Sequence, residues 1–185
     1  MTNQPQLSIR ELQEKDIDSL VNYWHESDSS FLKSMGVDIN KLPSREALRV
    51  SLLGQIKTPI ELKSSYCIIW LLDNKAIGHS NTNPTQFGEE AYMHLHLWNA
   101  ETRTKGLGTK FVIMSLSHFF EKLKLKRLFS EPYALNPAPN KTLKKLGFSL
   151  VKEHTTIPGP ICFKQPIKRW EMTNHKFKMN TFYPN

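Results

Sequence analysis

Apolar residues recur along the chain with two periods, and the change from one to the other marks out the elements. Leu7 and Ile9 alternate with polar neighbours and predict a short first strand. Ile17, Leu20, Val21 and Trp24 then recur at helical spacing behind Asp16, a candidate cap. Gly36 and Pro43 break residues 28–43 into short helical pieces and loop, and Ser44-Arg45-Glu46-Ala47 opens a helix to about Ile56. The run "SYCIIWLL" (65–72) is apolar on both sides, as a central strand requires, and Asp73-Asn74-Lys75 turns it into "AIGHSNT" as a hairpin. In "AYMHLHLW" (91–98) strict alternation puts Tyr92, His94, His96 and Trp98 on one face and Met93, Leu95 and Leu97 on the other.

The second half returns to a helical period. Val112, Leu116, Phe119 and Leu123 form one stripe able to pack on a sheet, and "RLFSEPY" (127–133) reads as the strand that follows. Pro137 and Pro139 bar a regular helix through their stretch, so the next helix is predicted over Asn140–Leu146, stopped by Gly147. "FSLVKEH" (148–154) and "KRWEMTNHKF" (168–177) supply two late strands, with the proline-rich "TTIPGPICFKQPI" (155–167) as a long loop between them. There is no repeat and no linker. The expectation is one mixed α/β domain over residues 1–185, with 1–6 and 178–185 as flexible ends.

Composition narrows this picture in three ways. A chain of 185 residues buries about two-thirds of its unfolded surface, so no metal or disulfide staple is needed. The start, MTNQPQ, lacks an apolar signal core, and the longest wholly apolar run, Tyr66 to Leu72, is far too short for a bilayer. A soluble cytoplasmic protein with no membrane partner is expected. Cys67 and Cys162 form neither a metal cluster nor a disulfide framework.

A formal charge of +8 and a pI near 9.5 favour an anionic partner. Lysines crowd 105–110, 122–127 and 141–145, but without the interleaved aromatic residues of a base-stacking platform, which disfavours nucleic acid.

The candidate chemistry begins at "RTKGLGTKFV" (103–112), where two glycines open the long helix straight after a strand. The run lacks G-x-x-x-x-G-K-[ST], and Phe111 stands where G-x-G-x-x-G needs its third glycine, so neither common nucleotide fingerprint applies. What remains, Arg103-x-x-Gly106-x-Gly108, exposes successive N–H groups at the positive end of a helix and suits a pyrophosphate.

This R-x-x-G-x-G step resembles the acetyl-coenzyme A loop of the GNAT acyltransferases. "EPYALNPAPNKTLKKLGF" (131–148) is similar to that family's E/D-P-x-x-x-N…GF signature. "GLGTKFV" and "HTTIPGP" also look like members of the branch that holds the aminoglycoside 6′-N-acetyltransferases and siderophore-type lysine N-acyltransferases. The resemblance implies a single GNAT-like domain, with a mixed, mostly antiparallel sheet of six to seven strands flanked by about four helices. It implies acetyl-coenzyme A, or another acyl-coenzyme A, as co-substrate and no metal. Arg103, Thr104, Lys105, Gly106, Leu107, Gly108 and Thr109 would hold its pyrophosphate, with Lys105, Lys110 and Lys141 near its phosphates. Strand backbone at Leu97 and Trp98 would meet the pantetheine arm, and Asn136 would bind that arm from the other side.

Acyl transfer to an amine needs a base, an oxyanion donor and a proton for the departing thiolate. An alkylamine of pKa about 10.4 is charged at neutral pH, so an imidazole of about 6.5 is a useful acceptor of its proton. His94 is the first candidate and His96, on the same face, the alternate. The oxyanion donor is expected to be an N–H near Leu97 or Trp98. Leu143 stands where many GNAT enzymes carry an acidic tyrosine, which leaves Tyr133 as candidate acid. Glu89, Glu90 and Glu131 are candidate contacts for a cationic acceptor. The expected partner is a small-molecule amine acceptor, and the protein is expected to be a monomer or homodimer. The alternatives are a protein N-terminus or lysine as acceptor, or a non-catalytic basic domain binding coenzyme A or nucleic acid.

Overall fold

A computed structural model describes residues 5–103 and 106–179. Its centre is a seven-stranded sheet in the order β1-β2-β3-β4-β5-β7-β6, built from β1 (Leu7–Glu11), β2 (Tyr66–Leu72), β3 (Lys75–Gln86), β4 (Glu90–Leu97), β5 (Arg127–Ser130), β6 (Ser149–Thr156) and β7 (Gln165–Thr173). All neighbours are antiparallel except β4 and β5, which are joined by a long helical crossover as a parallel pair requires. Among the described residues, six α-helices surround it: α1 (Ile17–Glu26), α2 (Ser29–Ser34), α3 (Arg45–Lys57), α4 (Leu107–Ser117), α5 (Pro137–Lys145) and α6 (Asn174–Met179). Four of them, α1, α3, α4 and α5, are the longer ones, so the single-domain α/β architecture matches the expectation.

Burial on both faces explains why β2 is wholly apolar. Tyr66, Ile68 and Trp70 enter the core under α4, where Phe111, Val112, Leu116, Phe119 and Leu123 are buried as the helical stripe requires. Cys67, Ile69 and Leu71 enter the second core, against Ile17, Leu20 and Val21 of α1 and Leu52 of α3. Inside the first core the Trp70 indole donates to Ser115 Oγ at 2.8 Å, and Ser115 in turn donates to the Phe111 carbonyl.

Four details depart from the sequence reading. Asp16 does not cap α1. Its carboxylate is drawn to the Arg10 guanidinium, at 2.5 and 2.7 Å, and accepts from the Gln13 N–H at 2.9 Å. α5 begins at Pro137 rather than after Pro139, because both prolines occupy its first turn, where N–H groups have no intrahelical partner to lose.

β7 ends at Thr173, and the next residues form α6, whose Phe177 stacks on Phe120. Of the ends expected to be flexible, residues 1–4 and 180–185 lie outside the described residues. The proline-rich loop is shorter than expected, since β6 and β7 extend to Thr156 and Gln165. Among the described residues, no helix is long and apolar enough to cross a membrane.

Candidate active site

The parallel β4–β5 ladder is short, and its end creates the site. Glu90, Ala91 and Tyr92 pair with Arg127, Leu128 and Phe129; beyond Tyr92 the strands part, leaving one edge of β4 facing a gap. In an antiparallel ladder the N–H and C=O of one residue point to the same side. Trp98 N donates to Ile77 O at 2.9 Å, toward β3, so Leu97 and Leu95 present their backbone groups to the gap. The gap-side amide near the expected oxyanion position is therefore that of Leu97, not Trp98. At the gap's narrow end, Ser130 Oγ donates to Met93 O. Gly78 lets β3 come close to β4 here: a Cβ on it would stand 2.4 Å from His96 O and 3.2 Å from Leu97 Cα.

At the wide end of the gap α4 begins. Gly106 precedes it with φ +68, a left-handed conformation that favours glycine, and no side chain caps the helix. A Cβ on Gly106 would meet no atom within 4 Å, and one on Gly108 only Leu97 Cδ1 at 3.7 Å. Bare backbone at a helix start, with the first-turn N–H groups unpaired inside the helix, fits an anionic diphosphate. Leu107 turns its side chain into the core, Thr109 is half-buried, and Lys110 and Lys141 are exposed on α4 and α5. Thr104 and Lys105 lie outside the described residues.

Arg103 folds back over the end of β4. Its Nε donates to Leu97 O at 3.2 Å, its Nη2 donates to Trp98 O at 3.1 Å, and its guanidinium lies 3.6 Å from the centre of the Phe31 ring on α2. Burial pulls the guanidinium below its usual pKa. Arg103 and Trp98 also border a cleft of about 410 Å³ that runs beneath α1 and α2 past Asn22, Tyr23, Glu26 and Asp28. Asp28 caps α2, accepting from the N–H groups of Ser30 and Phe31, and Glu26 pairs with Arg45 at 3.0 Å.

The imidazoles lie on the α1 side of the sheet. His96 stacks on His79, its partner across the ladder, at 4.6 Å and meets the Tyr23 hydroxyl through Nδ1 at 3.1 Å. The Trp98 indole donates to His79 Nδ1 at 2.8 Å. Burial lowers the His79 pKa to about 3 and drives His96 well below its usual value, with neighbouring imidazoles adding to both shifts.

His94, two residues along, has Nε2 at 2.9 Å from Asn83 O. A carbonyl only accepts, so Nε2 carries the proton and Nδ1 holds a lone pair. Burial lowers the His94 pKa, and the Asn83 carbonyl and then Glu131 oppose that shift.

Other expected site residues also make contacts within the fold. Asn136 caps α5 by accepting from Ala138 N at 3.3 Å. Asn140, not foreseen, donates to Tyr133 O and Asn136 O and accepts from the Trp170 indole, which ties the β5–α5 turn to β7. Tyr133 bridges to Ile167 and packs edge-on to Phe163, and Leu143 is fully buried. Glu89 and Glu90 lie at the opposite end of β4 from the cleft, paired with Lys126 and Arg127 at 2.6 and 2.7 Å. Among the described residues, no three His, Cys, Asp or Glu side chains are grouped to hold a metal ion.

Comparisons with known proteins bear on the family and the fold. The sequence pattern of the acetyltransferase (GNAT) domain matches residues 6–149. No curated protein sequence matches the chain significantly. Among solved structures, a spermidine N-acetyltransferase from Vibrio cholerae in complex with CoA and spermine superposes with a TM-score of 0.75 at 17% identity, over 94% of this chain and 98% of that one. A ribosomal-protein-S5-alanine acetyltransferase from Vibrio fischeri gives 0.76 at 16% identity, over 95% and 99%. A ribosomal L7/L12 alpha-N-protein acetyltransferase in complex with coenzyme A gives 0.74 at 14%, over 92% and 95%. At these identities the likeness is one of fold, and it does not single out the aminoglycoside or siderophore branch.

Proposed function

Since the chain belongs to the GNAT acetyltransferase family and is therefore an acetyl-coenzyme A-dependent N-acetyltransferase, we propose that it acetylates a primary amine of a small molecule by direct transfer in a ternary complex. One observation carries this reading: glycine backbone opens α4 at the mouth of the β4–β5 gap, beside a cleft of about 410 Å³. That volume falls within the range of roughly 300–1,000 Å³ usual for small-ligand sites. Solved relatives of this fold are named for acetylation of spermidine and of ribosomal proteins, so a protein N-terminus is the rival acceptor.

The bound cofactor supplies an acetyl thioester, which the free amine attacks. First-turn amides of α4 at Leu107, Gly108 and Thr109 hold its diphosphate, with Lys110 and Lys141 adding positive charge. His94 takes the acceptor's proton at Nδ1. His96 is the weaker candidate, since His79, Trp24 and Tyr23 enclose it and its depressed basicity opposes protonation at neutral pH. The gap-facing N–H of Leu97 would meet the oxyanion, and Tyr133 is the candidate donor to the thiolate.

The test is thiol release from acetyl-coenzyme A with free polyamines, amino acids, aminoglycosides and N-terminal peptides as acceptors. Turnover with a small amine, and a loss of roughly 10²–10⁴ in kcat for His94→Ala with coenzyme A affinity kept, is the expected result. Turnover with peptides alone would overturn the small-molecule reading.

A further inference from the structure

A row of side chains joins His94, across the face of the sheet that carries it, to residues with no part in the scheme above. Tyr92 and Phe129 form the last rung of the β4–β5 ladder. Two residues on, His94 on β4 and Glu131, the first residue beyond the end of β5, stand on opposite sides of the opening gap. Ser130 pairs with Trp170, so Glu131 adjoins Arg169 of β7, whose Nε donates to its carboxylate. The Glu131 side chain is only 8% exposed, and a carboxylate buried to that degree is unfavourable without a partner. The Arg169 guanidinium is itself held over the Tyr92 and Phe129 rings at 5.6 and 5.7 Å.

Resting on His94 as the base, we propose that Glu131 is a positioning residue that sustains the His94 imidazolium, while Arg169 limits how firmly the same carboxylate holds that proton. In this step the ammonium N–H bond of the acceptor breaks and its electron pair stays on nitrogen. The proton forms a new bond to His94 Nδ1, and Glu131 stays ionised throughout. Without Arg169, the carboxylate would hold the proton on His94 more firmly and leave less free base at neutral pH; without Glu131, the half-buried imidazole would accept a proton more weakly.

The other groups around His94 act alike in all variants. They are His79 and the Asn83 carbonyl on β3, and Tyr92 and His96 on β4; Tyr23 of α1 reaches only as far as His96. Burial holds both neighbouring imidazoles neutral, so neither supplies a competing charge at neutral pH.

The experiment follows the His94 ring signals by NMR against pH in the free protein, alongside the pH dependence of kcat/KM with one fixed acceptor. Glu131→Gln is expected to move the His94 titration to lower pH and Arg169→Gln to higher pH. The ratio of kcat/KM at pH 6 to that at pH 8 should rise in the first variant, by no more than roughly 4-fold because a base titrating at or below about 6.5 is already about one-quarter free or more at pH 6, and fall roughly 3–10-fold in the second. Arg169→Lys, which keeps the charge, should stay near the parent profile.

Opposite shifts separate an electrostatic role from mere loosening of the fold, which would move both variants alike. Should Glu131→Gln not fold, Arg169→Gln decides alone. An unmoved His94 titration, or shifts of one sign, overturns the role of the pair. A titration that moves as expected while the rate profile stays fixed removes His94 as the base, and the proposal falls with it.

Discussion

Alanine at position 108 separates what the fold needs from what the ligand needs. Gly108 is the second residue of α4, its φ lies outside the left-handed region, and an added Cβ would make only ordinary contact with Leu97 Cδ1 at 3.7 Å. A Gly→Ala exchange at such a compatible position stabilises by about 0.4–1 kcal/mol, chiefly by restricting the unfolded chain. For a chain of this size that raises Tm by roughly 1–4 °C.

The same methyl group would stand between an anion and the first-turn amides. Losing one charge-assisted hydrogen bond, worth about 1.5–3 kcal/mol, weakens coenzyme A binding roughly 10–150-fold. Stability and affinity should therefore move in opposite directions, read by thermal melts without ligand and calorimetry with coenzyme A. Gly106→Ala is the control: with φ +68 it meets no clash but forces an L-residue into the left-handed region, and Tm falls with a penalty of about 1–2 kcal/mol. A stabilised Gly108→Ala that binds coenzyme A as tightly as the parent would refute the diphosphate reading.

Three further outcomes follow from the geometry. His79 has a folded pKa of about 3 against an ordinary 6.5, so its contribution is complete above pH 6.5 and is lost as pH falls toward 3, by about 1.4 kcal/mol per pH unit. Urea midpoints at pH 7.5 and 5.0 measure this, and His79→Gln should flatten the slope. Asn140→Ala leaves the Trp170 indole without its acceptor, while the Tyr133 carbonyl keeps the Asn136 N–H at 3.0 Å, and should lower stability by about 1–3 kcal/mol in denaturant melts, with m unchanged. Gly78→Ala drives a methyl group against the His96 carbonyl and should lower stability by about 1–3 kcal/mol and slow turnover; a neutral variant would mean that β3 can shift without disturbing β4.

What could be read from the sequence was set by how local its cause is. The β4 alternation and the α4 stripe are local periodicities, and both appear in the sheet and core as expected. The glycine step is also local, since a left-handed residue before a helix has few other solutions. Pro137 and Pro139 misled because a proline's effect depends on its place in a helix, and a cap at Asn136 turns a breaker into a starter.

Gly78 did carry a signal, a glycine inside a strand, though what it approaches depends on register. Tyr23, Phe31 and Arg169 gave no sign of their roles. Their partners lie on other elements, Tyr23 being 73 residues from His96, and no periodicity reports such a meeting.

Arg103 gives the cleft a property beyond shape. Its guanidinium already occupies the Leu97 carbonyl on the gap edge, so a guest that pairs with β4 there makes an exchange rather than an addition. Each bond it forms replaces an internal one, and the net gain is a small difference between similar terms. Because the same guanidinium rests on Phe31, moving it would remove one contact of α2, whose Leu32 stays anchored in the core. Were a ligand to displace it, the cleft wall would feel the change, and by reciprocity a ligand in the cleft would alter the exchange at Leu97.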